Sequence, residues 1–374
     1  MTASPRVNRS RVAAQPPRMD KNRVPTTATF ALCDIFVPCP RRFPLKPQSL
    51  TVSLLLVSAA LVATHAQQPR LLVTQKGDTS LAIVDPVAGK VIASVAEGGI
   101  TGHEVIASPD GPLAYVPIYG NSGVGRPGTD GRNLVVIDIA SQKVVGTLDF
   151  GHGIRPHMPA IGPKDGLLYV STELDQSISI IDPKTLKIVG SIPTGQPQSH
   201  MFVLSHDGSR AYTANVGPGT VSVLDVPARK VLSIIPISSN TQRIAISNDD
   251  RWVFTSDQTK PQLAVIDTAT SKVSKWIPLE ATGYGSAPTP DGRWLLVALP
   301  AKNKVAVIDL KTMQAVPSID VCGDPQEMLV RPDGQSAYVS CVGSSQVAEI
   351  DLASMKVKRL IATGKGTDGL AWAK

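Results

Sequence analysis

After residue 80 the chain repeats one hydrophobic pattern seven times: a short apolar run, an aspartate, and a second apolar run that starts five residues later. Successive aspartates lie 53, 44, 43, 42, 42 and 42 residues apart. A period of this length is typical of stacked supersecondary units rather than of one irregular domain. The seven aspartates are Asp85, Asp138, Asp182, Asp225, Asp267, Asp309 and Asp351.

Each unit is predicted to contain four strands. Its apolar runs are rich in alternating β-branched residues, which favours strands, and the aspartate that ends the first run favours a turn. A second hairpin is expected around Pro-Asp-Gly turns such as those at 108–111, 289–292 and 331–334. Four strands in about 42 residues are typical of a β-propeller blade, and no sustained helical period competes with this interpretation.

The two ends of the repeat region complement each other. Residues 70–74 have the pattern of a second strand, whereas residues 368–373 form a first strand that has no partner after it. One C-terminal strand and three N-terminal strands would complete the last blade and remove an open sheet edge. The sequence therefore predicts an all-β fold, a seven-bladed β-propeller over residues 69–374.

Three copies of a short motif extend this prediction to a family. Residues 169–172 read Tyr-Val-Ser-Thr, 212–215 read Tyr-Thr-Ala-Asn and 338–341 read Tyr-Val-Ser-Cys, and each precedes a strand that ends in aspartate. In this the chain resembles the YVTN-repeat, YncE-like family of seven-bladed β-propellers over residues 70–374. The resemblance implies a fold more than a function, because such propellers serve many roles. Similar propellers include lactonases and single-stranded DNA-binding proteins.

The segment before the repeats has the features of a targeting signal. Basic residues at 41, 42 and 46 precede an apolar stretch at 50–62 and small residues up to Ala66. Residues 47–66 are therefore predicted to be a secretory signal peptide, because the stretch is shorter than the roughly 20 residues of a membrane span. We expect a periplasmic or secreted protein without a transmembrane span in its mature form. Residues 1–46 are expected to be a non-structural extension or the result of a mis-assigned start.

Removal of that segment changes the charge. The chain has 37 basic and 30 acidic residues, but residues 1–66 hold nine and two of them, which leaves 28 of each. A neutral mature protein lacks the basic track that phosphate contacts require, so a nucleic-acid partner is not expected. We expect a monomer, and the sequence does not identify its protein or small-molecule partner.

Two cysteines remain after residue 66. Cys322 precedes the first strand of a blade and Cys341 ends the second strand of the same blade, so both are expected on one face. In an oxidising compartment a disulfide is the favoured interpretation. Two buried free thiols remain an alternative, and a metal pair is disfavoured because no further cysteine is available.

A column of polar and aromatic residues marks the start of each innermost strand. Its members lie 54, 43, 42, 42, 42 and 42 residues apart and should converge on one central funnel. They are the candidate ligand-binding residues, together with the neighbouring Glu104. The column is His103, His157, His200, Gln242, Tyr284, Gln326 and Asp368.

Three histidines on consecutive blades are candidate ligands for a divalent metal, because imidazole is a common nitrogen ligand. Asp368 or Glu104 could add a carboxylate, and such a site could activate water. The alternative is structural: each imidazole hydrogen-bonds loop carbonyls and shapes the start of its strand. No other cofactor is predicted.

One blade is ten residues longer than the others, and the segment that holds the insertion spans residues 117–133. It connects second and third strands, so it should lie on the face of the histidines, and its glycines suggest a loop without a stiff element. Tyr119, Arg126 and Arg132 are candidates to reach over the funnel, because long loops on rigid scaffolds often carry binding residues. A solvated loop without function is the alternative.

No complete catalytic motif is present in the sequence. The leading hypothesis is therefore an exported propeller that acts as a binding or scaffold module, with a ligand or partner at the funnel face. A lactonase-type hydrolase that uses the polar funnel is the alternative from a different class, and single-stranded DNA binding is the third. Whether the protein is an enzyme stays open, with a non-enzymatic role preferred.

Overall fold

A computed structural model describes residues 68–374. The predicted signal peptide at 47–66 and the extension at 1–46 lie outside the described residues. Within them, secondary structure is almost entirely strand, with two single-turn 3-10 helices at Pro300–Lys302 and Val342–Ser344. The first fourteen strands are β1 (Arg70–Gln75), β2 (Ser80–Asp85), β3 (Lys90–Ala96), β4 (Ile106–Ala107), β5 (Leu113–Gly120), β6 (Asp130–Asp138), β7 (Lys143–Asp149), β8 (Pro156–Ile161), β9 (Leu168–Thr172), β10 (Ser177–Asp182), β11 (Lys187–Pro193), β12 (Ser199–Leu204), β13 (Arg210–Asn215) and β14 (Thr220–Asp225).

The remaining strands continue the same period to the end of the chain. They are β15 (Lys230–Pro236), β16 (Thr241–Ile246), β17 (Trp252–Asp257), β18 (Gln262–Asp267), β19 (Lys272–Pro278), β20 (Ser286–Pro288), β21 (Trp294–Leu299), β22 (Lys304–Asp309), β23 (Gln314–Asp320), β24 (Pro325–Val330), β25 (Ser336–Cys341), β26 (Gln346–Asp351), β27 (Lys356–Ala362) and β28 (Thr367–Ala373).

The 28 strands form seven antiparallel sheets of four. Six sheets use consecutive strands, from β4–β7 to β24–β27, and the seventh has the order β28-β1-β2-β3. The first strands, β4, β8, β12, β16, β20, β24 and β28, contact one another in a closed ring. These strands surround a central channel, and the predicted seven-bladed propeller and its closure by the C-terminal strand are confirmed.

The repeated aspartate forms the turn between third and fourth strands. Asp85 Oδ1 accepts the backbone N–H groups of Val87 and Ala88 at 2.8 and 3.0 Å. The residue before the next strand has a positive φ in every blade, and only one of the seven is glycine. The tightness of this turn explains the constant spacing of five residues. The seven residues are Gly89, Gln142, Leu186, Arg229, Ser271, Met313 and Met355.

The hydrophobic core lies between neighbouring blades. In one cluster Phe254 and Val265 pack against Val297 and Ile308 of the next blade. Successive side chains of a strand point to opposite faces of the sheet and so contact the two adjacent blades. Both faces of each sheet are therefore covered. Side chains at the start of the first strands are therefore left to fill the channel.

The insertion differs from its prediction. Strand β5 extends to Gly120 and β6 begins at Asp130, so the loop comprises only residues 121–129. The expectation of a loop over all of 117–133 was wrong at both ends, because the glycines permit close strand pairing. A Cβ at Gly131 would collide with the carbonyl of Ile118, and one at Gly120 with the carbonyl of Thr129. The longer hairpin carries Tyr119 inward.

A disulfide joins Cys322 and Cys341, whose Cα atoms are 5.7 Å apart. It fastens the loop before β24 to the end of β25, on the side of the blade where the first strand begins. A loop closed over a sequence separation of 19 residues stabilises a fold by about 3 kcal/mol.

Candidate functional site

Breaks in strand pairing turn side chains into the channel at the start of the first strands. Pairing skips His200 in β12 and Arg243 in β16, and Arg243 has a φ of 55°. Pairing is interrupted in the same way in β8 and β24, where the unpaired positions include His157 and Glu327. A bulge changes the direction of a side chain relative to the regular alternation. Groups from different blades therefore meet near the axis.

The structure brings the three predicted histidines together around a tyrosine. His157 and His200 have ring centroids 3.6 Å apart, and His103 lies 5.4 Å from His157. Tyr119 lies 4.7, 5.0 and 5.5 Å from the rings of His103, His157 and His200. We call these four residues the histidine cluster. His157, His200 and Tyr119 are buried, whereas His103 is half-buried.

A buried carboxylate holds one side of the histidine cluster. Tyr119 donates its hydroxyl to Glu173 Oε2 at 2.5 Å, and His200 Nδ1 lies 3.4 Å from the same oxygen. Arg155 Nη1 lies 3.4 Å from Glu173 Oε1, and Arg155 Nε donates to Asp130 Oδ1 at 2.6 Å. Burial would raise the pKa of Glu173, but the His200 and Tyr119 side chains lower it below the ordinary value. Glu173 is therefore ionised and fixes the orientation of its neighbours.

The imidazoles are neutral at physiological pH. Burial lowers the pKa of His103 to about 3 and that of His157 well below its ordinary value. Burial also lowers the pKa of His200, although Glu173 opposes the shift. A neutral imidazole can ligate a cation, but the lowered pKa values make these three rings weak proton acceptors.

A second group of charges surrounds Arg243 and joins four blades. Its Nη1 donates to Glu104 Oε1 and to Glu327 Oε2, both at 2.5 Å, and its Nη2 lies 3.6 Å from Asp368 Oδ1. Lys76 Nζ lies 2.9 Å from Asp368 Oδ2. We call these five residues the arginine cluster. The ring of Tyr284 covers it, with its centroid 4.8 Å from Arg243 Cζ.

The arginine cluster holds three carboxyl groups but two cations, so its carboxyl groups differ in protonation. Burial raises the pKa of Glu104 to about 8 and also raises that of Glu327. Burial would do the same to Asp368, but Lys76 and Arg243 lower its pKa below the ordinary value. Asp368 is therefore ionised, and a proton is retained by the Glu104 and Glu327 pair at neutral pH.

The other predicted residues lie farther from this centre. Gln242 is half-buried, and the half-buried Gln326 amide lies 3.4 Å from both carboxylate oxygens of Asp324. Arg126 is exposed, and Arg132 forms an exposed ion pair with Asp149 at 2.6 Å. These placements leave His103, His157, His200, Tyr284, Asp368, Glu104 and Tyr119 as the predicted residues that converge.

Five residues of the site did not appear among the predictions. Arg243 and Glu327 each follow a member of the predicted column by one position, and Arg155 precedes one by two. Lys76 and Glu173 each follow the last residue of a second strand, β1 and β9. A search for charged residues within two positions of the column could have found the first three.

The divalent-metal site stays a prediction from the sequence. In residues 68–374 no group of three or more His, Cys, Asp or Glu side chains has an arrangement that could hold a metal ion. The three imidazoles instead contact one another, or Tyr119, through their rings.

Glu97, near the edge of this region, is a buried carboxyl group with one hydrogen bond. Its Oε2 accepts the N–H of Gly102 at 2.7 Å, whereas its buried Oε1 has no partner among the described residues. Burial raises the pKa of Glu97 to about 7. The folded protein thus binds a proton here more tightly than the unfolded chain does.

Glu97→Gln is expected to make stability less dependent on pH. A raised folded-state pKa contributes stability that is fully present below the unfolded value of 4.5 and is lost as pH rises through about 7. At pH 8.5 the variant should therefore be more stable than the wild type by about 1–3 kcal/mol, with little difference near pH 5. Urea unfolding at several pH values measures this. The exposed Glu280→Gln should show no gain, and equal pH profiles for wild type and Glu97→Gln would contradict the argument.

Comparisons with known proteins agree with the architecture. A family model described as Cytochrome D1 heme domain matches residues 168–290, and one described as YNCE-like beta-propeller matches residues 262–373. A comparison with curated protein sequences finds no match. The described part of the chain contains no helix with the length and hydrophobicity of a membrane span.

Two solved structures are similar at the level of the fold. Kuenenia stuttgartiensis hydrazine synthase aligns with a TM-score of 0.61 and 20% identity, over 72% of this chain and 89% of that one. Dihydro-heme d1 dehydrogenase NirN in complex with DHE aligns with a TM-score of 0.56 and 18% identity, over 80% and 64%. The closed ring of blades and its channel define a seven-bladed β-propeller. Within this fold, residues 262–373 are similar to the YncE-like family of propellers.

Proposed function

We propose that this protein is an exported binding module whose ligand or partner contacts the funnel at the face where the first strands begin. The observation that carries the proposal is the arginine cluster. Burying several charges is costly, and replacing them with packed apolar residues often stabilises a protein. The retention of such a group on the axis of a rigid scaffold favours a functional role over a structural one.

Unpaired polar atoms in the two clusters support this. His157 Nδ1, Arg243 Nε and Asp368 Oδ1 are buried and have no hydrogen-bond partner among the described residues. Buried polar groups are normally satisfied, so these atoms need water or a bound molecule. Above them, Lys76, His103 and Tyr284 are part-exposed and can contact a ligand directly.

The Cys322–Cys341 disulfide supports export, because disulfides persist mainly in oxidising compartments. This is consistent with the signal peptide expected at 47–66 and with a periplasmic or secreted location. Mass spectrometry of the mature N-terminus would test that location separately.

The descriptions of one matching family model and of one similar structure name heme. The histidine cluster does not fit this group. An axial ligand must present a nitrogen to an open space beside the heme plane. His157 and His200 pack against each other with centroids 3.6 Å apart, and His103 contacts both Tyr119 and His157. No role for heme is therefore assigned to these residues.

Charge changes at the funnel rim test the proposal. The wild-type protein, purified from the exported fraction of its source cells, should retain a ligand or partner. The double variant Gln242→Glu with Gln326→Glu, made in the full chain, should lose it. Native mass spectrometry detects a retained small molecule, and affinity capture detects a protein. The matched control, Gln314→Glu with Gln335→Glu, makes the same charge change at exposed positions and should behave as the wild type.

Two outcomes would contradict the binding role. Equal retention by both double variants would place the interaction elsewhere on the molecule. Turnover of a lactone panel by the wild type, lost in His103→Ala, would support the hydrolase alternative instead.

A further inference from the structure

The opposite half of the channel contains a cavity that the proposed function does not use. Its volume is about 520 Å³, within the range of roughly 300–1,000 Å³ typical of small-molecule sites. It lies at the other end of the first strands, because Pro109 and Pro332 of the hairpin turns form its rim. The histidine cluster lies where those strands begin.

The wall of the cavity is mostly apolar and comes from four blades. Two methionines from different blades and a tryptophan supply flexible and flat surfaces. Such a lining favours hydrocarbon over polar ligands. The main apolar residues are Val105, Met158, Met328, Val330, Leu370 and Trp372.

One carboxyl group of the arginine cluster is shared with the cavity. Glu327 lines it and is partly accessible, with 17% of its side chain exposed. Its Oε2 accepts from Arg243 at 2.5 Å, and the two oxygens of a carboxylate offer about four acceptor sites, so acceptor capacity remains. An acceptor is therefore available in a cavity whose other lining residues are apolar except for Ser108 and Lys374.

The charge of the arginine cluster determines which head group suits this acceptor. Its fully ionised form carries three carboxylates against Arg243 and Lys76. A cation at Glu327 would balance the excess negative charge and take the place of a bound proton, whereas an anion would increase that excess. Burial and the nearby Asp368 carboxylate raise the pKa of Glu327, so a cation beside Glu327 would favour its ionised form.

We propose that this cavity binds an apolar small molecule with a single cationic amine, its hydrocarbon part against Met158, Met328 and Trp372 and its amine at Glu327. The site goes beyond the proposed function, since it opens on the other face and shares only Glu327 with the arginine cluster.

Isothermal titration of the full chain with octylamine, octanol and octanoate tests the inference. Octylamine should bind saturably with a stoichiometry of one and about tenfold or more tightly than octanoate, because a charge-assisted hydrogen bond replaces a repulsion. Octanol should lie between them. No saturable binding of octylamine, or equal affinity for the amine and the carboxylate, would overturn the proposal.

Variants separate the two parts of the site. Glu327→Gln should reduce octylamine affinity about tenfold and leave octanol unchanged. Val330→Phe narrows the cavity and should weaken all three probes, whereas Leu204→Phe changes the same strand position in a blade that does not line it. If neither Glu327→Gln nor Val330→Phe changes the affinity for octylamine, the amine binds elsewhere on the protein. The wild-type comparison of amine and carboxylate decides the case if a variant fails to fold.

Discussion

Replacement of Arg243 by methionine is expected to lower the free energy of unfolding by about 3–5 kcal/mol. The guanidinium is buried and contacts Glu104 and Glu327 at 2.5 Å, with Asp368 at 3.6 Å. Methionine preserves much of the volume but leaves these carboxyl groups without their shared cation. Because the three acids belong to three other blades, the loss should weaken the whole ring. Urea denaturation followed by tryptophan fluorescence measures it.

The loss of stability caused by Arg243→Met should increase as pH rises. Burial already raises the pKa of Glu104 to about 8 and raises that of Glu327, and removal of Arg243 raises both further. At low pH these groups are neutral and cost little to bury, so the deficit of the variant should shrink toward pH 5 and grow above pH 8. Arg251→Met is the control, since Arg251 is exposed and stacks on Trp252 at 4.8 Å. A change within about 1 kcal/mol of wild type for Arg243→Met would show that the cluster contributes no net pairing.

The architecture was accessible from the sequence because the same local chemistry recurs in each blade. The aspartate turn accepts two backbone N–H groups over a fixed number of residues, as at Asp85 and Asp309. A fixed turn and strands of constant length impose a constant period. The unpaired patterns at the two ends then leave β28 and β1 as each other's partners, as the structure has them.

The site was only partly accessible, and the reason is geometric. Strict alternation predicts which side of a strand each residue faces, but bulges in β12 and β16 redirect His200 and Arg243. Sequence period alone found His200, since it lies in the column. Arg243 lies one position after the column residue Gln242. It donates a hydrogen bond to Glu104, which is 139 residues away in the sequence. No local pattern encodes which blades will meet across an axis.

The insertion illustrates the same difficulty in a hairpin. Its glycines resemble those of a loop, yet Gly120 and Gly131 allow the strands to approach closely. The longer pairing then positions Tyr119 among the histidines and against Glu173. Composition indicated a loop, whereas backbone sterics made part of it a strand.

Deletion of residues 367–374 is expected to prevent folding of the propeller. Strand β28 covers Leu71, Leu72 and Val73, all fully buried, and pairs them with Trp372, Ala371 and Leu370. Exposure of three such side chains costs roughly 5–9 kcal/mol, which is comparable to the whole stability of a typical domain, about 5–15 kcal/mol. The deletion also opens the ring and removes Asp368 from Lys76. Near-ultraviolet circular dichroism and gel filtration should show an expanded chain without fixed aromatic packing.

A peptide of residues 367–374, added in trans, should restore the folded state, because the missing strand makes only non-covalent contacts with β1 and the neighbouring blades. The matched control is the same peptide with Gly369→Ala. A Cβ at this position would lie 2.5 Å from the carbonyl oxygen of His103 and 2.6 Å from Glu104 Cα, where neither backbone can yield. The Gly369 N–H also donates to that carbonyl at 2.9 Å, so the added methyl group would displace the strand from the ring. Equal rescue by both peptides, or a deletion variant as stable as the wild type, would mean that ring closure does not hold the fold together.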